Sequence, residues 1–185
     1  MVAAGSYGPS WYEAVEGPSL EQGDILPRCP VVVAQGEIPT DIDAALPMAL
    51  PGRVMYFDVV VLSQSCDIVV QPNGRRRVEH VVVCPVWEVP TANEQFSRSL
   101  IGNVLAGRVP TWHALAPSTL TGLERPHLFV ELRRILTVPV DWAETVAVQR
   151  SPRLRLRSPW KEHMAAAVGN LFSRPALPYP IPPIP

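Results

Sequence analysis

No apolar run in this sequence approaches the roughly 18 residues that a membrane-spanning helix needs, so a helical membrane protein is not expected. Met1–Pro9 lacks the basic start and apolar core of a secretory leader, and the expected setting is cytoplasmic. Cysteine is scarce and odd in number: Cys29, Cys66 and Cys84 form no Cys-x-x-Cys pair, so free thiols are expected rather than disulfides or a zinc site. Charge is sparse as well, at 18 % of residues with a net value of −1. That balance gives no global electrostatic reason to bind nucleic acid or an anionic membrane. The phosphate-binding loop, the dinucleotide fingerprint, the nucleophile elbow and the HExxH pair are all missing, which lowers the prior for an enzyme. No cofactor is expected.

What the chain has is apolar mass and proline. Hydrophobic residues are 47 % of 185, enough for a real core in one domain, while 22 prolines force strands to be short or to lie at edges. Residues 1–20 read as a partly ordered lead-in with one helical turn at "SWYEAVEG", residues 21–174 as the domain, and "RPALPYPIPPIP" as a polyproline tail over 175–185. The stretch 36–52 carries three prolines and reads as a long loop, a lid or an insertion.

Two runs dominate, "RVMYFDVVVLSQ" at 53–64 and "VEHVVVCPVWEV" at 78–89, with Asn73-Gly74 between them. β-Branched density on both sides of the best short hairpin signal predicts an antiparallel pair. A capping box at Thr91 and Glu94 predicts a central helix carrying Phe96, Leu100 and Val104, closed by Gly107. "VPTWHALAP" and "HLFVELRRILTV" read as strands, and "VDWAETV" as one or two helical turns. "RLRLR" at 153–157 alternates, leucines on one face and arginines on the other. Ser158-Pro159 opens a C-terminal helix, 158–172, with Trp160, Met164, Val168, Leu171 and Phe172 on its packed stripe. The order predicts a mainly β, β-rich α+β fold: a small, strongly bent sheet or barrel with a central and a C-terminal helix.

The chemistry concentrates at "SQSCD". Cys66 beside Asp67 could act as a nucleophile if His80 or His113 supplied a base. The blander reading has Ser63, Ser65 and Asp67 bonding backbone N–H groups at a bend while a small Cys66 turns inward, and it is preferred. A zinc reading of His80 with Cys84 fails on distance, since four residues of strand span roughly 13 Å. Ser63, Gln64 and Ser65, together with the basic hairpin tip Arg75, Arg76 and Arg77, are the candidate ligand contacts. Against them stands a solvated charged turn that discourages edge pairing. Trp11, Trp87 and Trp112 are expected to be exposed aromatics.

"QGDIL" at 22–26, "VVVLSQ" at 59–64 and "HVVVCPV" at 80–86 together resemble the PemK/MazF-type plasmid-maintenance toxins, over residues 22–89. That resemblance implies an SH3-like barrel that pairs as a homodimer. The toxins cleave RNA with an arginine before the second strand and a Thr or Ser after the proline of the third. Here Phe57-Asp58 and Val86-Trp87 stand at those places, so the ribonuclease site is not carried over. The chain also resembles a group of bacterial proteins sharing a VLSQ-(Ser/Thr)-Cys-Asp segment, from which no activity follows. The expectation is a binding or regulatory module with a protein partner. The alternative is a diverged nuclease or a cysteine-dependent hydrolase centred on Cys66-Asp67.

Overall fold

The computed structural model describes residues 10–35, 51–72, 74–89 and 96–173. These form β1 (Tyr12–Val15), β2 (Ile25–Ala34), β3 (Gly52–Val61), a single helical turn α1 (Ser65–Ile68) and β4 (His80–Glu88). After them come α2 (Arg98–Leu105), β5 (Trp112–Leu115), β6 (Leu128–Glu131), β7 (Leu136–Pro139), α3 (Val140–Gln149), β8 (Arg153–Leu156) and α4 (Trp160–Phe172). The fold is β-rich α+β, as the segment order predicts. Six strands make one antiparallel sheet in the order β2–β3–β4–β6–β5 with β7 also on β4, while β1 and β8 make a separate ribbon.

The Val-rich run is continuous because both of its faces are covered. Val59 and Val61 point into one core with Val31, Val81, Val83 and Val138, roofed by Ala143 and Ala147 of α3. Val60 points the other way, into a second core with Cys84, Val86 and Val130, closed by Leu154 and Leu156 of β8 and Met164 of α4. Each fully buried valine contributes roughly 1.5–3 kcal/mol, so these two cores carry most of the burial that holds the sheet. A third cluster joins Phe96 and Val104 to Phe129, with Trp112 edge-on to Phe96 at 4.9 Å between ring centres.

The predicted pairing of 53–64 with 78–89 is present, Val59–Val61 lying against Val83–Pro85. It is not a tight hairpin. The chain leaves β3, makes α1 and then a turn in which the Gly74 N–H donates to Gln71 O at 2.8 Å with Gly74 at φ +76°. Asn73 lies outside the described residues.

"HLFVELRRILTV" is two strands, not one. Val86 faces Val130 while Val83 faces Leu136, so three steps along β4 span six along its partner. The surplus loops out at Leu132–Ile135, and β6 and β7 remain in line beside β4. Cys84 and Pro85 fall at the switch between them, where a residue without an N–H is tolerated.

Three local expectations change. "SWYEAVEG" contributes a strand, because β8 offers Tyr12–Val15 a full antiparallel partner, and Tyr12 and Leu20 are buried. α2 is capped by Ser97, whose Oγ accepts from the Leu100 N–H at 3.2 Å. Thr91 and Glu94, like most of the 36–52 loop and the 175–185 tail, lie outside the described residues. Gly107 follows the C-cap at φ +68°, a conformation glycine adopts without strain. α4 begins at Trp160, with Ser158 Oγ donating to Glu162 Oε1 at 2.7 Å rather than capping the backbone. Its stripe packs as far as Leu171, while Phe172, the last residue expected on it, is 65 % exposed.

Candidate functional site

The "SQSCD" pentad is a corner, built by its serines. Ser63 Oγ accepts the Val82 N–H at 2.8 Å, and Ser65 Oγ accepts the Gln22 N–H at 3.1 Å. Gln22 Nε2 in turn donates to Leu62 O at 2.8 Å. α1 then turns Ile68 into the core. Residues two apart on a helix lie about 200° apart, so burying Ile68 sends Cys66 outward. Cys66 is exposed, contrary to the inward turn expected of it. Asp67 accepts from Arg77 Nη1 at 3.4 Å, not from backbone N–H groups.

A prediction follows for stability. Ser63→Ala strands a half-buried N–H and costs about 1–3 kcal/mol, whereas Cys66→Ser changes stability by no more than about 0.5 kcal/mol. Urea melts of the two variants check this, and the reverse ranking would sink the corner.

As a nucleophile Cys66 is poorly equipped. Its thiol faces Gln64 Oε1 at 3.7 Å and Asp67 Oδ1 at 3.9 Å, and no described histidine hydrogen-bonds it. His80 sits exposed at the start of β4, opposite Pro139. His113 is buried on β5, its ring 5.2 Å from that of His163 on α4. Cys29 and Cys84 are inert: burial pushes both thiols up to about 12, with the charge of Glu131 adding at Cys84. Among the described residues no three His, Cys, Asp or Glu side chains gather as a metal-holding group.

The hairpin-tip arginines are engaged within the chain. Arg76 clamps α3, donating to Glu144 at 2.7 and 2.8 Å and to Asp141 at 3.2 Å, and Arg77 holds Asp67. Of the "RLRLR" arginines, Arg153 and Arg155 are buried rather than spread on a solvated face. Asp24 binds Arg153 Nη2 at 3.0 Å and Arg155 Nε at 2.5 Å, and Glu21 takes Arg155 Nη1 at 2.7 Å. Burial alone would loosen the Arg155 proton; the hydrogen bond and charge of Asp24 outweigh that and tighten it.

Arg75, Arg76 and Arg77 line one concavity of about 540 Å³ with Gln71 and Pro72; a second concave region lies along β2 and β3. Pro27 and Arg28 interrupt the β2–β3 register between Leu26 and Cys29, making a bulge on an edge strand. Arg28 adopts φ +52°, a left-handed conformation costly for a residue other than glycine. Its N–H is held by Asp58 Oδ1 at 2.9 Å, and its guanidinium lies 5.9 Å from the centre of the Tyr56 ring. The bulge thereby aims Arg28 into a cavity of about 410 Å³ between the β2–β3 pair and α3, which Tyr56, Trp142, Gln149 and Arg150 also line.

Two further cavities adjoin it through shared walls. One, of about 440 Å³, shares Tyr56 and gathers Phe57, Asp58, Val86, Trp87 and Arg125. The other, of about 540 Å³, shares Arg28 and Arg150 with the first and Asp58 and Arg125 with the second.

The arginines of this groove differ in state. Arg125 is neutralised by Glu88 at 2.6 Å and lies 3.9 Å from Asp58. Arg28 and Arg150 have no ion-pair partner among the described residues. Tyr56 is 62 % and Trp142 42 % exposed, so two large rings are also left open. Of the tryptophans expected to be exposed, Trp87 lines the groove and donates Nε1 to Glu131 at 3.3 Å. Trp11 instead stacks on Trp160 at 3.8 Å, and Trp112 packs in the third core.

Sequence reading missed Arg28, Tyr56 and Trp142, and it grouped Arg150 with a basic set that a sheet edge explains equally well. The available signal was a charged residue between two prolines inside an apolar run, "LPRCP". No protein-family model matches the chain, and no curated protein matches it. Among the described residues no helix is long and apolar enough to cross a membrane.

Proposed function

We propose that this protein is a non-catalytic binding module that holds an anionic ligand in the groove between the β2–β3 pair and α3. One observation carries the reading: two guanidiniums with no ion-pair partner among the described residues and two open aromatic rings share one cavity. Charge-assisted hydrogen bonds and ring contacts are the means by which such a cavity recognises a ligand. Among the described residues no histidine bonds the exposed thiol, whose neighbours are a carboxamide and a carboxylate, which weighs against the cysteine hydrolase. Resemblance to the toxin barrels, in which a protein partner and a homodimer are at home, suits a regulatory role for the module.

The diverged nuclease is a second reading with one observation in its favour. Phe57, Asp58, Val86 and Trp87, the positions that the toxins use for cleavage, share a cavity with Arg125. Arg125 is the cation such a site would need, but Glu88 already neutralises it.

The test is a thermal-shift screen of organic phosphates, carboxylates and acidic peptides against the wild type and the Arg28→Ala/Arg150→Ala double variant. Neither arginine is in an ion pair, so the double variant keeps its own stability to within about 0.5–1 kcal/mol. Each lost charge-assisted hydrogen bond costs about 1.5–3 kcal/mol of binding, which removes the shift. Ligands that stabilise both proteins equally would refute the groove.

A further inference from the structure

We infer that the cavity between β2–β3 and α3 binds a planar-ring organic monophosphate, of which a nucleoside 5′-monophosphate is the type; this rests on the proposed binding role of the groove. The phosphate lies between the guanidiniums of Arg28 and Arg150. Two planar forks presented to one dianion allow several parallel N–H···O bonds, and the two charges balance. Among the described residues no carboxylate lines this cavity, and Asp58 beside it is bonded to the Arg28 N–H.

A ring then covers what the phosphate leaves open. Tyr56 and Trp142 line the same cavity with 62 % and 42 % of their surfaces exposed. A base or comparable heterocycle stacks on such faces whatever its identity. The Gln149 side chain, in the same wall, makes no hydrogen bond among the described residues, and its carboxamide offers the donor and acceptor that a heterocycle edge requires. The cavity's volume of about 410 Å³ lies in the range of small-ligand sites. An acidic peptide side chain would satisfy the arginines and leave both rings bare, and an inorganic anion would use neither.

The energetic logic of the bulge agrees with this. Holding Arg28 at positive φ stores strain that the Asp58 bond maintains. That strain returns no ion pair within the described chain, so its return is the aim of the guanidinium into the cavity.

Calorimetric titration of the full chain tests this with four probes at one ionic strength: AMP, adenosine, inorganic phosphate and a tetraglutamate peptide. AMP is expected to bind at least about tenfold more tightly than adenosine or phosphate, because only AMP uses both halves of the site. Arg28→Ala and Arg150→Ala each weaken AMP about tenfold or more. Trp142→Leu weakens AMP about tenfold while leaving phosphate unchanged. AMP binding no tighter than phosphate, or indifferent to Trp142→Leu, overturns the ring. Tetraglutamate binding that needs both arginines, with AMP inert, overturns this inference and leaves the binding module standing; failure of all four probes removes both.

Discussion

Asp24→Ala is expected to destabilise the protein by about 3–5 kcal/mol, a large share of the 5–15 kcal/mol that holds a typical domain together. Asp24 and the Arg153 side chain are fully buried, and Arg155 is nearly so. One carboxylate serves both guanidiniums and accepts the Glu21 N–H at 3.1 Å as well. Arg153 adds bonds to Gly17 O at 2.7 Å and Ser19 O at 2.5 Å, so the network lashes the 17–24 segment to β8. Through the Asp24–Arg155 bridge it also joins the β1–β8 ribbon to the start of β2.

Removing the carboxylate leaves Arg153 buried with no ion-pair partner among the described residues, and Arg155 beside it with Glu21 alone. Asp24→Asn keeps the shape and loses the charge, and should fall between Asp24→Ala and the wild type. Urea unfolding of both variants is the check. A loss below about 1 kcal/mol for Asp24→Ala would show that solvent already screens the network.

The second large effect is loss of stability in mild acid through His113. The residue is 8 % exposed and its Nε2 has no partner among the described residues; burial, and then the nearby His163, push it from the ordinary 6.5 down to about 4. Between those values the unfolded chain binds a proton that the folded chain refuses. The stability contributed by neutral His113 is therefore complete above pH 6.5, declines as pH falls toward 4, and is gone below it.

The interval corresponds to at most about 3 kcal/mol. His113→Leu removes the titration, so the wild type should lose up to that much more than the variant between pH 7 and pH 4. Parallel stability–pH curves for the two proteins would contradict this assignment. The stacked Trp11 and Trp160 should report the transition by fluorescence, since Trp160 packs against the same second core as β5.

Periodicity and turn chemistry made much of the fold legible. The valine runs at 59–61 and 81–83, the alternation in "RLRLR", and the apolar stripe that begins at Trp160 each predict an element that is there, because hydrophobic spacing is a local property of the chain. Where a segment is short and ambiguous, its partner decides. Tyr12–Val15 is a strand only because β8 lies beside it, and "HLFVELRRILTV" splits because β4 must pair along its whole length.

Of the site, only the reactive-looking pentad could be seen in advance, and its sequence alone could not say which way Cys66 faces. Once Ile68 takes the inward position, the geometry of a single helical turn settles it. By itself the sequence determined the strand-rich class, the unbroken buried runs and the alternating face of β8. Tertiary structure alone decided that the β8 arginines meet Asp24 some 130 residues away, and that Arg28 and Arg150 face one cavity with Tyr56 and Trp142. Spacing along the chain encodes which side of an element is apolar. Charge pairing and concavity arise from which elements are packed together, and no local pattern carries that.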